Sequence, residues 1–150
     1  MLKVGDRAPD IEAETYSGQK IRLGDFLGKK IVVLYFYPRD NTPGCTKEAC
    51  SMRDKMEDFK KLGIEVLGVS VDSVRSHENF RDRFNLNFPL LSDTDRKIVR
   101  AYGVESESGT AKRVTFLIDR SGVIRYIWHK VDTSHHADEV LEKVRELGLV

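Results

Sequence analysis

Residues 31–50 read Ile31-Val32-Val33-Leu34-Tyr35-Phe36-Tyr37-Pro38-Arg39-Asp40-Asn41-Thr42-Pro43-Gly44-Cys45-Thr46-Lys47-Glu48-Ala49-Cys50. The first seven are apolar, rich in β-branched and aromatic side chains, and are cut off by Pro38. Such a run reads as a strand buried on both faces. Thr42 and Pro43 then mark a helix start, with a hydroxyl at the N-cap and proline at the first helical position. Gly44 becomes the second helical residue and Cys45 the third. The Thr42 side-chain oxygen is expected to accept from the Cys45 backbone N–H. A cysteine therefore occupies the first turn of a helix that follows a buried strand.

That position has chemical consequences. Free N–H groups and the positive end of the helix dipole favour a nearby anion. They suit a thiolate, the form of cysteine that acts as a nucleophile. Gly44 has no side chain and leaves room for a small molecule to approach the sulfur. The alternative is that Cys45 is a small buried hydrophobe. Cys50 follows five residues later on the same expected helix. Five helical residues turn about 140° and rise about 7.5 Å, which places the Cα atoms about 8–9 Å apart. A disulfide needs about 4.4–6.8 Å. Either the two cysteines never pair, or pairing unwinds the first turns of the helix.

The segment Pro38-Arg39-Asp40-Asn41-Thr42-Pro43-Gly44-Cys45 resembles the active-site motif Pro-x-x-x-Thr-x-x-Cys of the peroxiredoxins. The second cysteine five residues on resembles the subgroup called peroxiredoxin Q or bacterioferritin comigratory protein. The likeness also takes in Val4-Gly5-Asp6-Arg7-Ala8-Pro9-Asp10, Leu67-Gly68-Val69-Ser70-Val71-Asp72, Leu90-Leu91-Ser92-Asp93 and Arg113-Val114-Thr115-Phe116-Leu117-Ile118-Asp119. It covers essentially the whole chain.

The resemblance implies reduction of H2O2 and organic hydroperoxides, with no cofactor or metal. Cys45 would be the peroxidatic cysteine and Cys50 the resolving one, joined in an intramolecular disulfide once the helix unwinds. Thioredoxin or a glutaredoxin would return the electrons. Pro38, Thr42 and Arg113 would complete the catalytic site. Read by itself, Arg113 is a surface ion-pair residue. With the resemblance it becomes the fixed guanidinium that stabilises charge on the leaving oxygen.

Gly44, Glu48 and Tyr37 are candidates for the substrate side. Glu48 either joins a hydrogen-bond network with Thr42 and Arg113 or is a solvated charge on the helix face. Arg53, further along the helix, ranks below Arg113, because a helical arginine commonly faces solvent. His135 and His136 are expected to lie exposed near the start of the last helix.

Composition narrows the function classes. The 150 residues are expected to form one domain spanning 1–150. The 25 basic and 24 acidic residues are interspersed and leave a net charge of +1, so there is no electrostatic case for nucleic acid or an anionic membrane. No run approaches the about 18 apolar residues of a membrane span. The start, Met1-Leu2-Lys3-Val4-Gly5-Asp6, lacks a signal peptide's apolar core, so a cytoplasmic location is expected. Two cysteines in a reducing compartment point to catalysis rather than structure. The resemblance further implies a monomer or at most a weak dimer.

Strands alternate with helices in the first half, and a hairpin and a closing helix follow. That order predicts an α/β domain, a thioredoxin fold with an N-terminal hairpin extension and a mixed central sheet. The expected elements are a hairpin over 11–15 and 21–23, the strand at 31–37, one helix from Pro43 to Leu62, a strand at 64–71 and a helix at 74–84. A short extended piece at 88–91, a helix at 95–102, a flexible exposed loop at 103–112, a hairpin at 113–118 and 123–128 and a last helix ending at Leu147 complete the chain.

Two rival functions share parts of this pattern. A thioredoxin-type thiol–disulfide oxidoreductase uses Cys-x-x-Cys at a helix start, but the residue three beyond Cys45 is Glu48. A metal module would draw on Cys45, Cys50, His135 and His136, whose spacings fit zinc poorly.

Overall fold

The apolar run forms a strand over Ile31–Phe36 in which every residue is buried. The computed structural model describes residues 2–150 and places this strand inside a seven-stranded mixed sheet. In chain order the strands are β1 (Glu12–Glu14), β2 (Lys20–Arg22), β3 (Ile31–Phe36), β4 (Ile64–Ser70), β5 (Leu90–Ser92), β6 (Val114–Ile118) and β7 (Ile124–Trp128). The helices are α1 (Pro43–Asp54), α2 (Met56–Lys61), α3 (Val74–Phe84), α4 (Lys97–Ala101) and α5 (His136–Glu146).

The spatial order of strands is β2-β1-β5-β4-β3-β6-β7. β4 runs parallel to β3 and to β5, whereas β6 is antiparallel to β3 and to β7. This is the expected thioredoxin fold, with the β1–β2 hairpin added at one edge by a single antiparallel pair, Glu14 with Ser92.

Side chains alternate across a strand, so β3 feeds two cores. Ile31, Val33, Tyr35 and Tyr37 pack with Ala49 and Met52 of α1, Phe59 of α2, Phe80 of α3 and Val140 of α5. Val32, Leu34 and Phe36 pack on the other face with Ile98, Val99 and Tyr102. Tyr35 and Tyr37 share a face, as alternation requires, with ring centroids 5.5 Å apart. Because both faces are covered, neither end of β3 can slip without exposing a full row of apolar side chains.

Three local expectations are corrected. The helix expected from Pro43 to Leu62 breaks at Lys55, whose backbone (φ −110°, ψ 10°) leaves the helical region and separates α1 from α2. The helix expected over 95–102 shortens to α4, because Arg96 adopts φ 63° and the Asp93 carboxylate caps from outside, accepting from Ile98 N–H at 3.1 Å and Val99 N–H at 2.8 Å. The segment 103–112 is more ordered than a flexible loop: Lys112 N–H donates to Val104 O and Ser106 N–H to Thr110 O, both at 2.7 Å, with Val104 and Ala111 buried. Among the described residues no helix is long and apolar enough to cross a membrane.

Gly68 in β4 lies directly opposite Tyr35. A Cβ there would meet Leu90 Cδ2 at 2.8 Å and Tyr35 Cζ at 2.9 Å, and both side chains are buried. Overpacking of this kind costs about 1–3 kcal/mol. Gly68→Ala is therefore expected to lower the unfolding free energy by that amount, measured by urea unfolding.

Candidate active site

The loop that leaves β3 turns into α1 at Thr42, which is extended (φ −78°, ψ 154°), with Pro43 as the first helical residue. The cap differs from the sequence expectation. Thr42 Oγ1 donates to the Arg39 carbonyl at 3.0 Å and makes no side-chain cap bond to the helix. The Cys45 N–H, in the first turn, therefore lacks the side-chain acceptor that the cap pattern suggested. Cys45 itself is buried, 1% exposed.

Arg113 immediately precedes β6, whose first residue Val114 pairs with Phe36 at the end of β3. This register brings the guanidinium to the start of α1. Arg113 Nη2 lies 3.4 Å from Cys45 Sγ, and Nη1 donates to Glu48 Oε1 at 2.7 Å. A Cβ on Gly44 would sit 3.0 Å from Arg113 Nη2 and 3.9 Å from Thr133 Cγ2. The space expected to admit a small molecule is thus the space through which Arg113 reaches the sulfur.

Glu48 is fully buried, so it is not a solvated helix-face charge, and its partner is Arg113 rather than Thr42. Its second oxygen, Oε2, has no hydrogen-bond partner. Burial pushes the Glu48 carboxyl up to about 7, and the Arg113 charge offsets only part of that. Burial also works against the Arg113 charge, but Glu48 and Cys45 outweigh it and hold the guanidinium above its ordinary value.

His136 corrects another expectation. His135 is exposed and sits 3.1 Å from Asp132, but His136 is fully buried. Its Nε2 lies 2.8 Å from Thr115 Oγ1 and its Nδ1 2.9 Å from Glu139 Oε1. Burial pulls the imidazole below its ordinary value. The spacing 136, 140, 144 with Val140 and Val144 already placed His136 on the inward face of α5, a signal the sequence reading passed over.

A second cluster fixes the loop from behind. Tyr37 is buried, and its hydroxyl donates to Asp40 Oδ1 at 2.6 Å, so its polar end is spent on the loop rather than turned toward a substrate. Asp40 Oδ2 also accepts from Ser76 Oγ at 2.8 Å and lies 2.7 Å from His77 Nδ1. The Asp40 N–H donates to Asp72 Oδ2 at 2.9 Å, which also accepts from Ser70 Oγ at 2.6 Å. His77 Nε2 lies 3.0 Å from the Leu91 carbonyl. Asp40, Asp72 and His77 bring metal-ligand atom types together, yet each of these atoms already has an internal partner, and the cluster reads as a lock on the loop.

Pro38 is half-buried where the loop begins. Cys50 is half-buried, and both cysteines are free thiols on a helix unbroken from Pro43 to Asp54. The far end of that helix is tied down. Ser51 Oγ accepts from the Ala137 N–H at 3.1 Å, and Arg53 Nη1 donates to the Phe84 carbonyl at 2.6 Å. Arg53 is thus a clamp between α1 and α3, not a second guanidinium on the sulfur. The four residues of the proposed metal module do not converge: His136 is held by Thr115 and Glu139, and His135 by Asp132.

Known proteins share this sequence pattern and fold. The sequence profile of the AhpC/TSA family matches residues 4–127. Peroxiredoxin Bcp of Bacillus subtilis is 40% identical over 154 residues, covering 98% of this chain and 98% of the relative. The crystal structure of peroxidoxin BcpB from Mycobacterium tuberculosis superposes with a TM-score of 0.91 at 34% identity, covering 98% of this chain and 99% of that one. The Xanthomonas campestris bacterioferritin comigratory protein, studied for its alkyl peroxide reduction activity, superposes with a TM-score of 0.85 at 35% identity over 91% of each chain.

The Glu48 environment gives a pH signature. Its folded value, about 7, lies above the ordinary 4.5, so the folded state holds this proton more tightly than the unfolded chain does. The resulting stability is present below the ordinary value and is lost as pH rises through the folded one. Removing the ionisable group with Glu48→Gln is expected to remove this loss. The melting temperature of the variant, relative to wild type, should rise between pH 5 and pH 8, as read by circular dichroism.

Proposed function

As a member of the AhpC/TSA family this chain is a peroxiredoxin, a thiol-dependent peroxidase, and we propose that its chemistry runs from Cys45 to Cys50. The observation that carries this reading is the single guanidinium of Arg113, shared between the Cys45 sulfur and the buried Glu48 carboxyl. A fixed donor already aimed at a nucleophilic sulfur is placed to stabilise charge that develops beside it.

In the proposed cycle the Cys45 thiolate attacks one oxygen of the hydroperoxide and the O–O bond breaks. The leaving oxygen takes a proton and departs as water or alcohol, and the sulfur becomes a sulfenic acid. Arg113 bears the negative charge that passes from sulfur to the leaving oxygen. Thr42 spends its hydrogen on the Arg39 carbonyl, and its oxygen remains to accept from the peroxide O–H. Pro38 shields the sulfur side of the loop from bulk water. Gly44 lets the guanidinium approach.

Cys50 then attacks the sulfenic sulfur, an S–S bond forms, and the oxygen leaves as water. An intact α1 holds the two Cα atoms about 8–9 Å apart, so this step requires unwinding. The ties at Ser51 and Arg53 confine it to the turns before Ser51. A dithiol protein of the thioredoxin or glutaredoxin type restores both thiols. We further propose that the chain acts as one domain, as a monomer or at most a weak dimer.

Stopped-flow oxidation by H2O2, followed by mapping of the disulfide, tests the scheme. Cys45→Ser is expected to abolish peroxide consumption. Cys50→Ser should complete one turnover and then fail to be recycled by thioredoxin; multiple turnovers with thioredoxin in that variant would refute the resolving role. Activity confined to insulin reduction, with no peroxide consumed, would instead favour a thiol–disulfide oxidoreductase. Gly44→Ala places a Cβ 3.0 Å from Arg113 Nη2 and displaces the guanidinium. Its second-order rate with H2O2 is expected to fall by about tenfold to a hundredfold, the scale of small misplacements in a reacting site.

A further inference from the structure

Behind Arg113, away from the sulfur, the site contains a defect. Glu48 Oε2 is buried and has no partner, although Oε1 of the same carboxyl is well bonded. The imidazole Nε2 of His136 lies 4.0 Å from that bare oxygen. Neither side chain is exposed at all. Leaving a buried carboxylate oxygen unpaired is costly; a proton on the carboxyl neutralises it, and a proton on the imidazole offsets its charge across the 4.0 Å gap.

We propose that His136 is a positioning residue for the peroxidatic site, competing electrostatically with Glu48 for one proton and thereby setting how firmly Arg113 is held against Cys45. The proposal rests on Cys45 being the reacting sulfur. In the neutral imidazole, Nδ1–H donates to Glu139 and Nε2 accepts from the Thr115 hydroxyl, which leaves Glu48 Oε2 bare. When Nε2 carries a proton it donates to the Thr115 oxygen, the imidazolium charge 4.0 Å from Oε2 compensates the carboxylate from behind, and the full carboxylate charge anchors Arg113. When the proton sits on Glu48 instead, Arg113 keeps only a neutral acceptor and its hold loosens. Glu139 is part-exposed and offers the pair a route for proton exchange with solvent.

The charged and titratable groups around the pair come from every neighbouring element. Glu48 is on α1, Arg113 stands before β6, Glu139 is on α5, and Asp132 lies in the loop ahead of α5. Tyr35 and Cys45 stand on the Glu48 side. The raised Glu48 and lowered His136 values have the sense expected of a proton that either group can hold.

The structure also supplies a reporter. Trp128, the one tryptophan of the chain, packs edge-on against the His136 ring, with centroids 5.4 Å apart and planes at 88°. A protonated imidazole against an indole quenches its fluorescence. The experiment uses reduced full-length protein and follows three quantities between pH 5 and pH 9: Trp128 emission, the His136 ring 15N shifts, and the rate of Cys45 oxidation by H2O2.

In wild type, the emission step and the ring shifts are expected to follow one ionisation, and the oxidation rate should show an inflection in the same interval. His136→Gln keeps a fixed polar group but cannot titrate. It should lose the emission step and shift that inflection, with a rate at pH 7 about twofold to thirtyfold below wild type, the range of positioning effects. His136→Asn provides a second non-titrating variant, and both are checked for native circular dichroism. If the emission step vanishes but the rate profile superimposes on wild type, His136 titrates without acting on the site and the proposal is overturned. If wild-type ring shifts show no ionisation in this range, it is overturned without recourse to any variant. Failure of the Cys45 assignment looks different: peroxide then leaves Cys45 unmodified in all three proteins, whatever the ring and emission report.

Discussion

One guanidinium holds the site together. Arg113 reaches over the bare Cα of Gly44, 3.4 Å from the Cys45 sulfur, and donates to Glu48 at 2.7 Å. Each of these groups would be a poor occupant of a protein interior alone. A buried carboxyl tends to take up a proton, and a half-buried guanidinium needs acceptors. Together they form a short chain of contacts in which the carboxyl fixes the arginine and the arginine faces the sulfur. Removing either partner leaves the other uncompensated, which costs more than the pair contributes. The residual imbalance is visible in Glu48, whose burial outweighs its single ion pair.

The backbone around this contact is held at both ends. Before Cys45, Asp40 gathers donors from Tyr37 and Ser76 and sits against His77, pinning the loop to α3. After Cys50, Ser51 and Arg53 tie α1 to α5 and to the end of α3. Between these clamps lie about ten residues whose first-turn N–H groups have few partners. Local opening is drawn from segments with few fixed backbone bonds. The unwinding proposed for disulfide formation falls between these clamps, and it has to release the buried Glu48 from Arg113.

Much of this is legible in the chain. The apolar run at 31–37, the Thr-Pro helix start and the alternation of Tyr35 and Tyr37 depend on local sterics and on period, and the fold realises all three. The twofold buried β3 follows from an unbroken apolar run, because only a strand covered on both faces needs no polar alternation. Where the reading departed from the structure, a competing partner decided, sometimes a few residues away and sometimes far along the chain. Thr42 turned from the helix to the Arg39 carbonyl. His136, adjacent to an exposed histidine, went inward because β6 and β7 offer it Thr115 and Trp128.

Sequence by itself determined the strand–loop–helix unit and the placing of a thiol in the first turn of α1, since propensity, proline geometry and helical pitch act within a few residues. It also determined that the two cysteines cannot bridge while the helix stands. Tertiary structure alone decided which charges meet that thiol. Arg113 is 68 residues from Cys45 and 65 from Glu48, and His136 lies on another helix again. Their convergence depends on the β3–β6 register and on the docking of α5 against α1. No local pattern encodes either, because each is settled by which faces remain to be buried once the sheet has formed.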